Sequence, residues 1–272
     1  MKISAALSPF WDLLLAIQVA LLPTLRSILA NPTLLFRPNA LTRIFMAYIW
    51  EGGFGNGTDE NGRLPKTQLI TPNAYGVVLD LGAGHGHAVQ YLDRTKVTHY
   101  VALEPNAQMH PFIRASASPA GFSEADGTLV IIACGAEESH KILSALPNNR
   151  PVDTIISVLT LCTIPSPLKT LHNLVRDVLR ADGGVFLFYE HVLSEREDVQ
   201  WWQRVWTPVW TVPFDGCRLD RATHRWVRDL KIAGEDGAKE PEGAWREGEL
   251  WGKEGESEEN LFWHQAGRFV KE

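Results

Sequence analysis

A glycine-rich loop and a nearby acidic residue are the parts of this 272-residue sequence whose types and spacing could do chemistry. The loop, Asp80-Leu81-Gly82-Ala83-Gly84-His85-Gly86, directly follows an apolar run. Its three glycines remove side chains where a ligand must approach the backbone, and they permit torsions that other residues resist. Glu104 ends the next apolar run about twenty residues later, where a carboxylate can accept hydrogen bonds from both hydroxyls of a ribose. Together the two features predict an adenosine-binding fold.

The spacing of the glycines discriminates between adenosine-containing ligands. Dinucleotide-binding enzymes prefer a last glycine one position later, where the helix packs closely and its N-terminus faces the pyrophosphate. Here the last glycine is Gly86, and neither Ala88 nor Gln90 supplies a later one. S-adenosylmethionine has no phosphate, and Asp80 is suitably charged to hold its ammonium end. A plain strand-to-helix turn for the loop, and a helix-start acid for Glu104, are the alternatives.

The elements that must position these residues follow an alternating pattern. From Gly76 onward, short apolar runs alternate with helical segments, which predicts an α/β sheet with helices on both faces. The predicted strands are 77–81, 100–103, 129–133, 154–158 and 185–189. The predicted helices are 87–94, 107–115, 137–145 and 168–180. Parallel strands of this kind bind ligands at their carboxyl ends, where the motifs above fall.

The loop and the acidic residue carry a family resemblance. Residues 78–86 resemble motif I of the class I S-adenosylmethionine-dependent methyltransferases, and residues 103–106 resemble their acidic second motif. Residues 134–138 follow the third predicted strand, where that class contacts adenine. Residues 158–162 follow the fourth predicted strand, beside the methyl-transfer cleft of that class. The resemblance implies a Rossmann-like seven-stranded sheet with S-adenosyl-L-methionine as cofactor. It implies a cofactor site made of Asp80, Gly82, Ala83, Gly84, Gly86, Glu104, Pro105, Asn106, Gly135, Ala136, Glu137 and Leu159.

The second half of the sequence resembles a narrower family. Glu190-His191-Val192, the Trp-rich run 206–210 and Phe214-Asp215-Gly216-Cys217 resemble the membrane-associated methyltransferase-like thiol S-methyltransferases of animal endoplasmic reticulum and lipid droplets. The likeness runs from about 77 to 226, and the Gly/Glu-rich insertion 234–260 departs from it. It implies transfer of a methyl group to a small, largely apolar acceptor such as a thiol. Methylation of an oxygen or nitrogen of a secondary metabolite, a nicotinamide-dependent oxidoreductase, and an inactive lipid-surface binding protein remain the alternatives.

Two residues are candidates for the chemical step. Methyl transfer is an in-line displacement, so alignment in a desolvated pocket can supply most of the acceleration and a base is optional. His191 ends a central strand at the cleft and is the first candidate for a base or orienting residue, with Asp215 second. A hydrogen bond from His191 to a loop carbonyl, and a helix cap at Asp215, are the alternatives. Trp202, Trp206 and Trp210 form a helical stripe that predicts a core face, an aromatic wall of the acceptor pocket or a membrane-edge anchor.

Charge and cysteine usage exclude several classes of partner. The stretch 235–259 holds 10 acidic and 3 basic residues, which predicts a solvated loop and leaves 22 acidic and 23 basic residues elsewhere. This nearly neutral body argues against nucleic acid, which requires a clustered basic surface. Cys134, Cys162 and Cys217 lie far apart without zinc-ligand spacing. They predict a reduced, intracellular protein with no metal site.

The N-terminus predicts an appendage to the catalytic domain. Residues 13–25 are an almost unbroken apolar run of roughly 13 residues, shorter than the ~20 needed to span a bilayer. We therefore expect residues 1–50 to form a helical segment that either lies on a membrane surface or covers the active site as a lid. Residues 51–75 are predicted as a linker and 76–272 as the methyltransferase domain. The cytosolic face of the endoplasmic reticulum or of a lipid droplet is the expected location, with the cytoplasm as the alternative.

Overall fold

The computed structural model describes residues 1–232 and 242–272, and a seven-stranded sheet forms its centre. The strand order is β3-β2-β1-β4-β5-β9-β8, in which β1 to β5 are parallel and β9 is antiparallel to both neighbours. This confirms the predicted seven-stranded methyltransferase sheet. The strands of the sheet are β1 (Gly76–Leu81), β2 (Val97–Leu103), β3 (Leu129–Ile132), β4 (Thr154–Val158), β5 (Val185–His191), β8 (Trp245–Gly252) and β9 (His264–Lys271). A separate two-stranded sheet pairs β6 (Lys231–Ile232) with β7 (Glu242–Gly243).

Helices cover both faces of the sheet. The α-helices are α1 (Ile3–Ala6), α2 (Ser8–Ala30), α3 (Pro38–Ile49), α4 (Gly55–Asn61), α5 (Arg63–Asn73), α6 (His110–Ala117), α7 (Ser139–Ala145), α8 (Pro167–Asn173), α9 (Glu197–Trp210) and α10 (Thr223–Arg228). Alternate side chains of β1 lie in two different hydrophobic cores, one on each face of the sheet. Leu79 packs in the core with α7, α8 and α10, and Val78 packs in the core with α5 and α6. Strands buried on both faces are continuous apolar runs for this reason. The predicted helix 87–94 is only a short 3₁₀ segment, His87–Tyr91.

The N-terminal segment is helical and lies against the carboxyl end of the sheet. Ala16 and Ala20 of α2 pack with Ile49 of α3 and with Trp210 and Phe214. The small alanine side chains allow this close approach, while most of the other apolar residues of α2 stay exposed. One helical stretch, Ile3–Ala30, is long and apolar enough to cross a membrane by length and composition.

The region predicted as a linker contains α4 and α5. The helical path breaks at Gly53, whose φ of 110° is not helical. After it, Leu69 and Ile70 of α5 are fully buried against the sheet. Because the apolar residues of α5 pack in the core, this part of the segment belongs to the folded domain and is not a linker.

The prediction of a solvated loop over 235–259 is wrong for part of that stretch. Its residues 242–259 belong to the described structure and include β8, an edge strand paired with β9. Trp245 packs on the core, whereas Glu247 and Glu249 project from the exposed edge. Charged side chains on an edge strand prevent pairing with other chains, so acidic composition is compatible with a strand here. The first part of the predicted insertion, residues 234–241, lies outside the described residues.

Candidate active site

The glycine loop and Glu104 meet at the carboxyl ends of β1 and β2. The Glu104 carboxylate accepts hydrogen bonds from the backbone N–H of Gly84 through Oε2 and of Asn106 through Oε1, both at 2.8 Å. Gly82, Gly84 and Gly86 all have positive φ, between 55° and 76°. A Cβ on Gly82 would lie 2.6 Å from a methyl group of Thr160, so its absence is required by packing as well as by torsion. The structure thus brings together the two features on which the sequence prediction depends.

Glu104 is buried, and its electrostatics suit a ligand that donates hydrogen bonds. Burial raises its pKa, and the two backbone donors oppose that rise. Each carboxylate oxygen has a lone pair beyond the one used by its backbone donor. Two further donors, such as a pair of ribose hydroxyls, would therefore stabilise the charged form.

Asp80 has a protein partner of its own. Its Oδ2 accepts a hydrogen bond of 2.7 Å from the Tyr100 hydroxyl, and only 2% of the residue is exposed. Burial raises the pKa of Asp80 to about 7; the Tyr100 hydrogen bond and Lys66 lower it, and Glu104 raises it further. A carboxyl group poised in this way would gain from a nearby cationic ligand group. Lys66 itself is buried in an ion pair with Asp59.

The remaining predicted cofactor residues lie around this edge of the sheet. Pro105 follows Glu104, and the Asn106 side chain donates to the Arg43 carbonyl at 3.0 Å, which ties this turn to α3. Gly135, Ala136 and Glu137 follow β3, and the N–H of Gly135 donates to Oε1 of Glu138 at 3.2 Å. Ala83 follows Gly82 and donates its N–H to the Leu103 carbonyl.

A cavity of about 580 Å³ opens beside the loop. Its roof comes from the N-terminal segment, including Asp12, Leu15 and Trp50, and its floor from the ends of β4 and β5. Trp50 links the cavity to the glycine loop, because its Nε1 lies 3.2 Å from where a Cβ of Gly84 would be. Leu159 lines the cavity with a φ of 52°. Such a torsion is strained for a bulky residue, and strain of this kind concentrates at functional sites.

Two tryptophans of the α9 stripe have different contacts in the structure. Trp210 is buried, stacks on Phe214 with ring centroids 3.9 Å apart and lines the cavity. Trp206 instead donates its indole N–H to the Ala6 carbonyl at 2.7 Å, which fixes α1 to α9. The stripe therefore supplies one wall of the cavity and one anchor for the N-terminal segment.

Of the two predicted catalytic residues, only His191 lines the cavity. It ends β5, is 5% exposed, and its ring packs edge-on against Phe262. Burial lowers the pKa of His191, but the neighbouring Cys162 and Glu190 together raise it by more, so the net shift is upward. Asp215 lies apart from the cavity lining and accepts a hydrogen bond from Thr42 at 3.4 Å.

Two cysteines that sequence reasoning set aside stand beside His191. Nε2 of His191 lies 3.3 Å from Sγ of Cys217, and that sulfur lies 3.5 Å from Sγ of Cys162. The three residues are separated by 29 and 26 positions in sequence, and no local spacing could have predicted their meeting. All three line the cavity.

The sheet order, the glycine loop and the acid that ends β2 define a class I methyltransferase architecture. The comparison with protein families agrees, because residues 59–229 match the family described as a methyltransferase domain. This chain belongs to that family, which confirms the class predicted from the sequence.

The curated relatives are thiol S-methyltransferases. Thiol S-methyltransferase TMT1B of Rattus norvegicus is 35% identical over 159 residues, which cover 57% of this chain and 59% of that protein. TMT1A of Homo sapiens is 30% identical over 156 residues, covering 57% and 59%. The match therefore spans less than two thirds of the length of these relatives.

Solved structures share the fold at low sequence identity. A putative O-methyltransferase from Nostoc punctiforme superposes with a TM-score of 0.52 at 12% identity, covering 94% of this chain and 71% of that one. An O-methyltransferase family protein from Burkholderia thailandensis gives 0.51 at 10% identity, covering 86% and 59%. These likenesses concern the fold alone.

Proposed function

We propose that this chain is an S-adenosylmethionine-dependent methyltransferase whose acceptor is a small, largely apolar thiol. One observation carries the proposal: a glycine loop that binds a buried carboxylate is joined through one side chain to a cavity with a largely apolar lining. Trp50 belongs to both, since it touches the loop at Gly84 and lines the cavity. A cofactor held by the loop would thus meet an acceptor held in the cavity.

The residues at the loop fit this cofactor. Glu104 would accept hydrogen bonds from the ribose hydroxyls, the glycines would admit the ligand to the backbone, and Asp80 would balance the ammonium group. When bound, S-adenosylmethionine supplies the methyl group. The acceptor sulfur forms the new bond to the methyl carbon as the bond from that carbon to the sulfonium sulfur breaks, and the electron pair of the broken bond stays on the leaving sulfur. The adenine end would lie towards Gly135, Ala136 and Glu137.

The cavity residues would align and desolvate the acceptor. Aromatic side chains from α9 and from the turn before β9 exclude water, and a thiolate stripped of water is a stronger nucleophile. His191 is the residue placed to accept or orient the acceptor proton, because it lines the cavity at the end of β5. Asp215 is separated from the cavity, so we assign it no contact with the acceptor.

The thiol is favoured over oxygen and nitrogen acceptors on two grounds. The relatives that match this chain are named thiol S-methyltransferases. A thiol also ionises near pH ~8.5, whereas an alcohol would need a stronger base than one histidine provides.

We further propose that α2 serves both as a lid and as a membrane-surface helix. Asp12 and Leu15 line the cavity, so the helix closes the site. Its other side is apolar and exposed, as interfacial helices are. Apart from Leu15, the exposed large apolar residues of α2 are Phe10, Trp11, Leu14, Ile17, Leu21, Leu22, Leu25 and Leu29. The cytosolic face of an internal membrane or lipid droplet is the location this surface suits.

Calorimetry and a product screen test the catalytic proposal. Purified protein should bind S-adenosylmethionine and not NADH, and mass spectrometry should show a methyl group gained by thiols in a panel of thiols, phenols and amines. Glu104→Gln should lower the affinity for the cofactor about 10- to 150-fold, because hydrogen bonds to a charged group contribute about 1.5–3 kcal/mol. Glu124→Gln, an exposed acid paired with Arg114, is the matched control and should leave the affinity unchanged. Binding of NADH alone would reject the proposal.

Vesicle flotation tests the second role of α2. The full chain should float with vesicles of neutral and anionic phospholipid, and a chain starting after Arg37 should not. A truncated chain that floats as before would contradict the membrane role. Loss of turnover with unchanged flotation would leave the helix as a lid only.

A further inference from the structure

The cavity wall contains a compact set of three metal-ligating side chains that the methyl-transfer site does not require. Cys162 lies in the turn after β4, His191 ends β5, and Cys217 lies in the loop after α9. One ligand atom from each, two sulfurs and a ring nitrogen, lie within 4.8 Å of one another. Two thiolates and an imidazole are the donors that Zn²⁺ prefers among divalent ions.

The distances in this cluster are close to those of a zinc tetrahedron. Zn–S bonds of about 2.3 Å and Zn–N bonds of about 2.0–2.1 Å place the sulfurs about 3.8 Å apart and each sulfur about 3.5 Å from the nitrogen. The observed Sγ–Sγ distance is 3.5 Å and the observed Nε2–Sγ distance to Cys217 is 3.3 Å. These two distances need to change by about 0.3 Å. The third, between the His191 nitrogen and Sγ of Cys162, is at most 4.8 Å and has to shorten by up to about 1.3 Å, which side-chain rotation can provide.

The backbone holds the three ligands on a fixed frame. The N–H of Arg218 donates to the carbonyl of Cys162 at 3.1 Å, which joins the two cysteine segments directly. The Arg221 guanidinium donates to the carbonyls of Leu161 and Ile164 and so fixes the turn that carries Cys162. A preformed arrangement of this kind lowers the ordering cost of binding an ion.

The surroundings of the cluster keep Cys162 protonated when no ion is bound, because hydrogen bonding to Cys217 and burial raise the pKa of its thiol; a bound Zn²⁺ would displace that proton. Arg221 is half-buried, and its positive charge interacts with both cysteine sulfurs. The buried Glu190 interacts with His191, and its Oε1 already accepts three hydrogen bonds. The Nδ1 atom of His191 is buried with no partner among the described residues, so no second hydrogen bond fixes its tautomer. A metal bond at Nε2 would fix it, with the proton on Nδ1.

We propose that Cys162, His191 and Cys217 form a zinc site whose fourth position opens into the cavity. Three protein ligands with one open position are the arrangement of catalytic zinc, whereas structural sites are closed by a fourth protein ligand. All three residues line the cavity, so a ligand in the cavity can reach the open position.

The open position has a direct use if the proposed thiol acceptor is correct, and this part rests on the proposed function. A thiol that binds there releases its proton to solvent and becomes a thiolate at neutral pH, because a coordinating thiol is deprotonated by the ion. The sulfur keeps a lone pair for attack on the methyl carbon. His191 then acts as a zinc ligand, and the ion takes over the activation of the acceptor.

Metal analysis of the full chain tests the site without reference to activity. Protein freed of affinity tags, reduced with a phosphine and dialysed against zinc-free buffer after addition of Zn²⁺ should retain about one zinc per chain by mass spectrometry of the metal. Cys162→Ser and Cys217→Ser should each lose most of that zinc. Cys134→Ser, which alters a buried cysteine outside the cluster, is the matched control and should retain it. Calorimetric binding of S-adenosylmethionine by each variant checks that it is folded.

Cobalt provides the geometric readout. Replacement of zinc by Co²⁺ should give the intense visible bands of tetrahedral cobalt and a near-ultraviolet thiolate charge-transfer band, both lost in the two serine variants. Ethanethiol should shift the visible bands of the cobalt protein, and ethanol should not. Equal zinc contents in wild type and both variants, or failure of Zn²⁺ to bind to the reduced protein, would overturn the site.

The two proposals fail in distinguishable ways. Zinc bound without thiol methylation would leave the metal site standing and reject the thiol acceptor. Thiol methylation that is unchanged in metal-free protein would reject the use of the open position in methyl transfer and leave the proposed function intact. A disulfide between Cys162 and Cys217 that persists in the presence of the phosphine and Zn²⁺ would also reject the site.

Discussion

Replacing Asp80 by asparagine should stabilise the ligand-free protein at high pH while weakening cofactor binding. Asp80 is buried and accepts a hydrogen bond from Tyr100. The asparagine carbonyl can accept the same bond, but asparagine carries no charge to desolvate. Without the cofactor, burial of the Asp80 carboxylate costs free energy, and asparagine removes that cost. With the cofactor bound, the cationic ammonium group would offset the cost, and asparagine loses that attraction.

The magnitude follows from the raised pKa of Asp80, which is about 7 in the folded protein against 3.8 for the free side chain. A raised carboxyl pKa means that the folded state binds the proton more tightly, so stability is lost as pH rises from about 4 to about 7. Above pH 7 the full loss is about 4 kcal/mol. The buried amide of the variant costs about 1–3 kcal/mol of its own. We therefore expect Asp80→Asn to be more stable than wild type by about 1–3 kcal/mol at pH 8, and no more stable than wild type at pH 4.

Thermal and urea unfolding followed by tryptophan fluorescence measure this difference. Because carboxyl groups distant from Asp80 titrate equally in both proteins, the difference between variant and wild type reports Asp80 together with the groups that interact with it, Glu104 and Lys66. A gap in unfolding free energy that stays constant from pH 4 to pH 8 would refute the reasoning. The rise in midpoint temperature produced by saturating S-adenosylmethionine should be smaller in the variant. An equal rise would show that Asp80 does not interact with the cofactor.

Two further substitutions test the packing that supports the site. Gly82→Ala should destabilise the protein by about 1–3 kcal/mol more than the control Gly127→Ala. Both glycines have positive φ, but only a Cβ at position 82 would clash with Thr160. Equal losses of stability in urea unfolding would contradict this. Lys66→Met should cost about 3–5 kcal/mol, because the buried Asp59 carboxylate would lose its cation and keep only the neutral donors Gln90 and Tyr91. Adding Asp59→Asn should recover part of the loss. A double variant less stable than the single one would show that the pair is not the cause.

The sequence by itself determined the fold and the edge of the sheet where the glycine loop meets Glu104. Apolar runs of strand length, separated by helical segments, define which face of each element is buried, and that pattern is local. The glycine loop and Glu104 follow directly after two neighbouring strands, so their meeting was implied once the strands were known to be parallel. The same reasoning placed His191 at the end of β5 and Leu159 after β4.

The tertiary structure alone decided what surrounds that edge. The roof of the cavity, the separation of Asp215 from it, and the cluster of Cys162, His191 and Cys217 depend on how loops fold over the sheet. Contacts between residues tens of positions apart leave no periodic trace, because they are set by the packing of whole elements. The acidic strand β8 was missed for a related reason. Its backbone pairs with β9, and hydrogen bonds between backbones do not depend on side-chain type.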